Sequence, residues 1–297
     1  MNTAQLTSTR ITFPTGATDG VATVVRATDA AGGALVVLDE TPFHPVDHTW
    51  PDQPGDTGRL QTDGQSVEVV DTMMAALSDQ GEFAVGAGIP VRRGTEGWTW
   101  LVAHRLADSA VPAWLAQGAV VTAAVDRDRR AGLSRGHSAC HLASLALDAA
   151  LADLWRKDPG ADALGAPAFD ARANQSSRIV AGGSVDEYRL GKSLRKAGFQ
   201  TEGLAATVGE REAAINATLA GWVARGAAAV SRIEVDGPEV TDRRTWCCTL
   251  PEGEARILCG GTHVDSLAAF SAVTVQLDLS DPQLLVMTTT AVPAPAR

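Results

Sequence analysis

Between residues 8 and 107 the apolar positions fall in short runs: "GVATVVRATD", "GALVVLDE", "SVEVVDTMM" and "WTWLVAHRL". Each run is rich in β-branched or aromatic residues and is separated from the next by Gly-rich or Asp-Gly turns, a pattern that predicts strands. Several short strands at this spacing predict a small barrel-like module. One segment breaks the pattern: "TPFHPVDHTWPDQPGDTGRL", residues 41–60. Its prolines at 42, 45, 51 and 54 exclude a helix and a central strand, because proline lacks the N–H that either ladder needs. The segment is expected to be a rigid loop dense in polar side chains.

Beyond "PAWLAQGAVVTAAVDRDRR" the period changes. From Gly136 to about Arg156 the apolar residues Leu142, Leu145, Ala146, Ala149 and Leu154 recur at helical spacing. Residues 159–182, rich in Ala, Gly and Pro, read as a loop or an insertion. "VDEYRLGKSLRKAGF" reads as a short helix ended by Gly198, and "EREAAINATLAGWVARGAAAV" as a longer one. The strands "SRIEVDG", "RTWCCTL", "ARILCGG", "SAVTVQLDL" and "LLVMTT" follow. The expectation is an α+β chain of two domains. Residues 1–107 form the barrel-like module and residues 108–297 a mixed domain.

Composition changes this picture in three places. With 297 residues, 45% of them hydrophobic and 20% charged, a sizeable core is available. No apolar run approaches the ~18 residues that span a bilayer. The first residues lack a basic segment followed by an apolar one, so the expected address is the cytoplasm, with no membrane partner. The net charge of −10 argues against diffuse binding of nucleic acid, so a polyanion would have to be met at a defined patch. Arg189, Lys192, Arg195 and Lys196 are the candidates if their segment is helical; Arg127, Arg129, Arg130 and Arg135 form a second cluster. The cysteines stand at 140, 247, 248 and 259 without a Cys-x-x-Cys, which argues against zinc ribbons and thioredoxin-like sites. Cys140, Cys247 and Cys248 are expected to pack in the interior.

Cys259 is different. In "ILCGGTHVDS" it stands four residues before His263, with Gly260 and Gly261 between them to let the backbone curl. His137 and His141 form a second pair, at i and i+4 on one helical face. Two imidazoles, a third imidazole and a thiolate are a donor set that zinc selects, and one zinc ion per chain is expected. Ser138 stands where zinc metalloproteases with this histidine spacing carry their glutamate base, so peptide hydrolysis by that route lacks its base.

"VDRDRRAGLSRGHSACHLASLAL" followed by "CGGTHV" resembles the editing domain of alanyl-tRNA synthetases and its free-standing relatives, the AlaX-type alanyl-tRNA editing proteins. The loop at 41–60 extends the likeness, resembling the family's segment TxFxPxGGGQPxDxG. The resemblance implies an editing-type domain following the N-terminal module, a zinc-dependent aminoacyl-tRNA deacylase activity acting in trans, and aminoacyl-tRNA as partner. It implies His137, His141, Cys259 and His263 as metal ligands. It places Ser138, where many relatives carry threonine, together with Gln53 and Asp56 at the catalytic site, and Thr262 beside the substrate.

The family's three glycines are replaced around Thr49 to Asp52 by "TWPD". Trp50, Pro51 and Asp52 add bulk, rigidity and charge, while His44 and His48 add donors and acceptors; His44, His48, Trp50 and Asp52 are therefore expected to touch the substrate. Such a pocket implies a preference moved toward a β-hydroxy or non-standard amino acid, as in the family's fluorothreonyl-tRNA deacylases. Two other readings stand beside this one: a metal-dependent hydrolase of another small ester or amide, and a tRNA-binding adaptor whose zinc is structural. Without a long helical tail for association, a monomer is favoured over a homodimer.

Overall fold

Leu35–Leu38 is a strand of four consecutive apolar residues, all of them buried. A strand with no polar face needs a layer on each side. Val36 and Leu38 join Ala22, Val24, Leu60, Val69, Leu106 and Val121 in one cluster, and Leu35 and Val37 join Met73, Ala75, Leu101 and Ala103 in another. The strand is therefore a wall between an interior and an outer shell.

The computed structural model describes residues 6–295, which divide into two compact units. The first comprises residues up to Arg130 together with Val235–Arg244; the second comprises Ala131–Glu234 and the chain from Thr245 onward.

In the first unit the strands are β1 (Arg10–Ile11), β2 (Asp19–Thr28), β3 (Leu35–Leu38), β4 (Glu40–Thr41), β5 (Gly58–Thr62), β6 (Gln65–Ser78), β7 (Phe83–Val85), β8 (Trp98–Leu106) and β9 (Val120–Val125). Their pairing runs β5-β9-β2-β3-β8-β6 and closes through β5–β6, so six strands make a closed barrel. Closure leaves these six without a free edge. The 14-residue β6 accomplishes it: a bulge between Val69 and Asp71 bends it, so that one half pairs with β5 and the other with β8 and β7. The barrel-like module expected from the sequence is thus a barrel. Val235–Arg244 returns to this unit, where Val240 packs with Ile11, Phe13 and Trp100.

The second unit is organised by α1 (Arg127–Ala150), whose residues from Ala131 onward belong to it. From Gly132 to Asp148 almost every residue is buried or half-buried, so this is a helix enclosed on all sides. It begins nine residues before the expected Gly136, and Ala149, read as part of its apolar stripe, is exposed. Then come α2 (Asp170–Ala173), β10 (Asn174–Val180), β11 (Gly183–Arg189), α3 (Lys192–Ala197) and α4 (Thr201–Val223). After these follow β12 (Ser231–Val235), β13 (Arg244–Leu250), β14 (Gly253–Leu258), β15 (Phe270–Asp281) and β16 (Leu284–Pro293). Part of the expected loop at 159–182 is therefore strand: β10 pairs with β11 in an antiparallel sheet ordered β10-β11-β16-β15.

The edge strand β15 is closed off by α4. Asn216 donates to Val275 O at 3.0 Å and accepts from Val275 N at 2.7 Å, and Glu212 accepts from Leu277 N at 2.8 Å. Helix side chains thus satisfy ladder groups that would otherwise invite a further strand. A separate three-stranded sheet, β12-β13-β14, leads directly into the Cys259 loop. No helix among the described residues is long and apolar enough to cross a membrane.

Candidate metal centre

His137 and His141 lie on the buried middle of α1, one turn apart, with ring centroids 4.9 Å from each other. Two glycines place this stretch. A Cβ at Gly136 would collide with Val180 O and Gly183 O, and one at Gly132 would lie 3.1 Å from the Ala181 side chain. The β10–β11 turn therefore packs directly on the helix backbone beside His137, a contact only glycine permits at position 136.

The second pair comes from the loop after β14. Cys259 Sγ lies 3.4 Å from His137 Nε2 and 3.3 Å from His263 Nε2. With bonds of ~2.3 Å to sulfur and ~2.0–2.1 Å to nitrogen, a tetrahedral zinc site holds S and N ligands ~3.5 Å apart. The observed separations fit that edge. One ligand atom from each of the four residues lies within 4.8 Å of the others, so His137, His141, Cys259 and His263 could hold a metal ion. Burial lowers His141 to about 4, keeping its imidazole neutral and its lone pair available to a cation.

Supporting contacts fix the donors. Ser138, fully buried, accepts from Val264 N at 3.0 Å, and its Oγ lies 3.2 Å from His263 Nδ1. With Nε2 turned toward the cluster, Nδ1 carries the proton and donates to Ser138, which sets the tautomer. Ser134 Oγ donates to Thr262 Oγ1 at 2.8 Å, tying the middle of the loop to α1. Gly261 N lies 3.4 Å from Cys259 Sγ, a donor aimed at the sulfur. The Trp246 ring lies against His141 and His263, with centroids 5.0 and 5.7 Å away. Ser134 and Trp246 were not singled out in the sequence. Ser134 was legible, since residues 134, 138 and 141 share a helical face; Trp246, from a distant strand, gave no signal.

The loop at 41–60 belongs to the first unit. Asp56, fully buried, receives the Arg130 guanidinium, with Nε at 2.9 and 3.0 Å from its two oxygens, and His44 N at 2.5 Å. Arg130 also donates to Pro42 O at 2.7 Å and is itself buried. Unlike an exposed cation of the basic cluster at 127–135, it is therefore held inside by an ion pair. Arg127 of that cluster pairs with Asp19, and Arg129 donates to Gly55 O.

His44 packs edge-on against Phe13 and receives Gln53 Nε2 at 3.4 Å. Burial brings it down to about 4, partly offset by Asp56, so it is neutral. Gln53 is buried; Asp52, half-buried, accepts from Gln53 N at 2.7 Å. Asp47 caps the turn through Thr49 N and Trp50 N and pairs with Arg93. His48 is tucked against Trp100, with ring centroids 5.5 Å apart, whereas Trp50 is 45% exposed. Gln53, Asp56, His44, His48, Trp50 and Asp52 thus lie in the first unit, while Ser138, Thr262 and the four metal donors are brought together in the second. Arg189 is exposed at the end of β11, and Lys192, Arg195 and Lys196 are exposed on α3.

No protein-family model matches the chain. It is 30% identical over 258 residues to the alanine–tRNA ligase of Chlorobaculum tepidum and 29% identical over 264 residues to that of Frankia casuarinae. Each alignment takes in 86% of this chain and 25% of the ligase, so the chain spans about a quarter of the length of the curated relatives it matches. Over most of its length, then, this protein is similar to a portion of alanine–tRNA ligase.

Proposed function

We propose that the protein hydrolyses the ester joining an amino acid to tRNA, acting in trans on misacylated or non-standard aminoacyl-tRNA. The observation that supports it is the convergence of His137, His141, Cys259 and His263 in a chain similar to alanine–tRNA ligase over 86% of its length. The donor set and the sulfur–nitrogen spacing suit zinc. When bound, zinc supplies a Lewis acid for the ester carbonyl or lowers the pKa of a bound water.

The chain's own residues orient the reactants. Ser138 holds His263 through Nδ1 and holds Val264 N, so we read it as a positioning residue for the donor loop. Ser134 fixes Thr262 beside the donors. Trp246 covers one side of His141 and His263 and keeps water from that face. An aminoacyl ester is already activated, so placement and charge stabilisation suffice where an amide would need a strong base.

In the first unit, Asp56, Gln53 and His44 build the 41–60 loop, and we assign the choice of amino acid to its exposed Trp50 and half-buried Asp52. We extend the proposal to a preference for a β-hydroxy or fluorinated side chain, threonyl-like or fluorothreonyl. Polar groups can discriminate strongly where size alone gives ~1–3 kcal/mol.

The four-donor set equally suits a metal that only holds the loop to α1, which would make the protein a tRNA-binding adaptor. The test is amino-acid release from seryl-, glycyl-, threonyl-, alanyl- and fluorothreonyl-tRNA by wild type, Trp50→Ala and Asp52→Ala. Release from at least one substrate, with relative rates altered by the loop variants, is expected. No release from any aminoacyl-tRNA tested would favour the adaptor.

A further inference from the structure

The chain contains three lysines, Lys157, Lys192 and Lys196, against a net charge of −10. Lys192 and Lys196 lie on α3; Lys157 lies 35 residues earlier than Lys192. The fold nonetheless brings all three together. Trp155 bridges to Phe199, Arg156 N donates to Gly198 O at 2.9 Å, and Gln200 N donates to Leu154 O at 2.9 Å. The segment after α1 is thereby laid along the C-terminal end of α3, and Lys157 Nζ donates to Lys196 O at 3.2 Å.

The join is built for close approach. Gly198 has φ of 114° and caps α3; a Cβ there would stand 2.9 Å from both the Lys157 Cβ and its backbone N. Only glycine serves both needs. Six exposed cations stand on these joined or neighbouring segments: Arg156 and Lys157 after α1, Arg189 at the end of β11, and Lys192, Arg195 and Lys196 on α3. None of the six makes an ion pair among the described residues, although Arg127, Arg178, Arg211, Arg232 and Arg256 do. Instead, protein acceptors hold several of them in place: Arg156 donates to Gln200 at 2.9 Å and Arg195 to Leu190 O at 2.8 Å.

We propose that this six-cation patch is where the protein meets the phosphate backbone of tRNA. The proposal deepens the aminoacyl-tRNA reading above and rests on it. On a surface otherwise more acidic than the total charge indicates, a local excess of cations steers a polyanion to one place. A membrane-surface site gains strength from apolar side chains that insert beside its cations, and no exposed large hydrophobic residue lies between Leu151 and Gln200 except Val180, at the far end of β10. Phosphates strung along a nucleic acid are the better match for cations drawn from the segment after α1, the end of β11 and α3.

The experiment is binding of an uncharged tRNA transcript across a salt series, for wild type and for Lys157→Gln/Lys192→Gln/Lys196→Gln. Each phosphate contact contributes about 0.7–0.9 to the slope of log affinity against log salt, so the triple variant should lose about two units and bind at least ~10-fold more weakly at physiological salt. Lys192→Gln alone, a residue whose side chain makes no hydrogen bond among the described residues, should lose up to about one unit, and this serves if the triple variant folds poorly. Unchanged slopes would overturn the patch, as would a wild type that binds phosphatidylserine vesicles but not tRNA. The two proposals can fail separately. If wild type binds tRNA through the patch yet releases no amino acid, the hydrolase reading falls and the patch stands. If wild type deacylates and the lysine variants keep the full salt slope, the patch falls and the hydrolase reading stands.

Discussion

Asp148 lies on α1 two turns beyond His141, 3% exposed, and accepts the backbone N–H of Asp170 at 2.7 Å. Burial lifts its pKa from 3.8 to about 8, the Asp170 N–H opposing and the Asp170 and Asp162 charges adding. The folded protein therefore holds a proton at Asp148 that the unfolded chain releases near pH 4. Stability from this group is fully present below that value and is lost as pH rises toward 8, by about 1.4 kcal/mol per unit. Asp148→Asn keeps an acceptor for Asp170 N–H and removes the titration. Relative to wild type, the variant should gain on the order of 4 kcal/mol between pH 5 and pH 9. The assay is urea unfolding of both proteins at several pH values, with the difference between them plotted. Loss of metal at low pH affects both alike and cancels. Parallel curves would refute the reasoning and show that Asp148 is ionised in the fold.

Two further substitutions probe the site's supports. Arg130→Met strands the buried Asp56 carboxylate without its cation and should cost about 3–5 kcal/mol in chemical denaturation; a loss under ~1 kcal/mol would mean that the loop does not depend on the pair. Gly136→Ala forces the β10–β11 turn away from the helix and should cost about 1–3 kcal/mol or more while weakening metal retention at the neighbouring His137. Unchanged melting and metal content in that variant would show that the turn is free to move.

The strands that alternate or run fully apolar were legible because each has a side facing a core: β2, β3, β6 and β8 all appear as short β-branched runs. β5 and β9 were not picked out. "GRLQT" contributes one buried side chain, Leu60, and owes its place to pairing on both sides, which no local pattern records. The start of α1 was missed for a related reason: from Arg127 to Arg135 its polar residues look like solvent-exposed positions, yet Arg130 and Ser134 are buried by partners far along the chain. The metal donors were legible because each pair is local, with i, i+4 spacing on a helix and a Gly-Gly curl on a loop. The six-cation patch was legible only in part. α3 displayed three of its members, but nothing in the sequence brings Lys157 and Arg156 to them; that depends on the Trp155–Phe199 bridge and the approach allowed by Gly198.

The most direct test of the account is release of amino acid from an aminoacyl-tRNA substrate by one preparation in three states: as purified, after removal of metal by a chelator, and after return of one equivalent of zinc per chain. The account predicts activity in the first state, loss in the second and recovery in the third, with Cys259→Ser failing to recover. Full activity in a chelated protein shown by elemental analysis to be free of metal would contradict it.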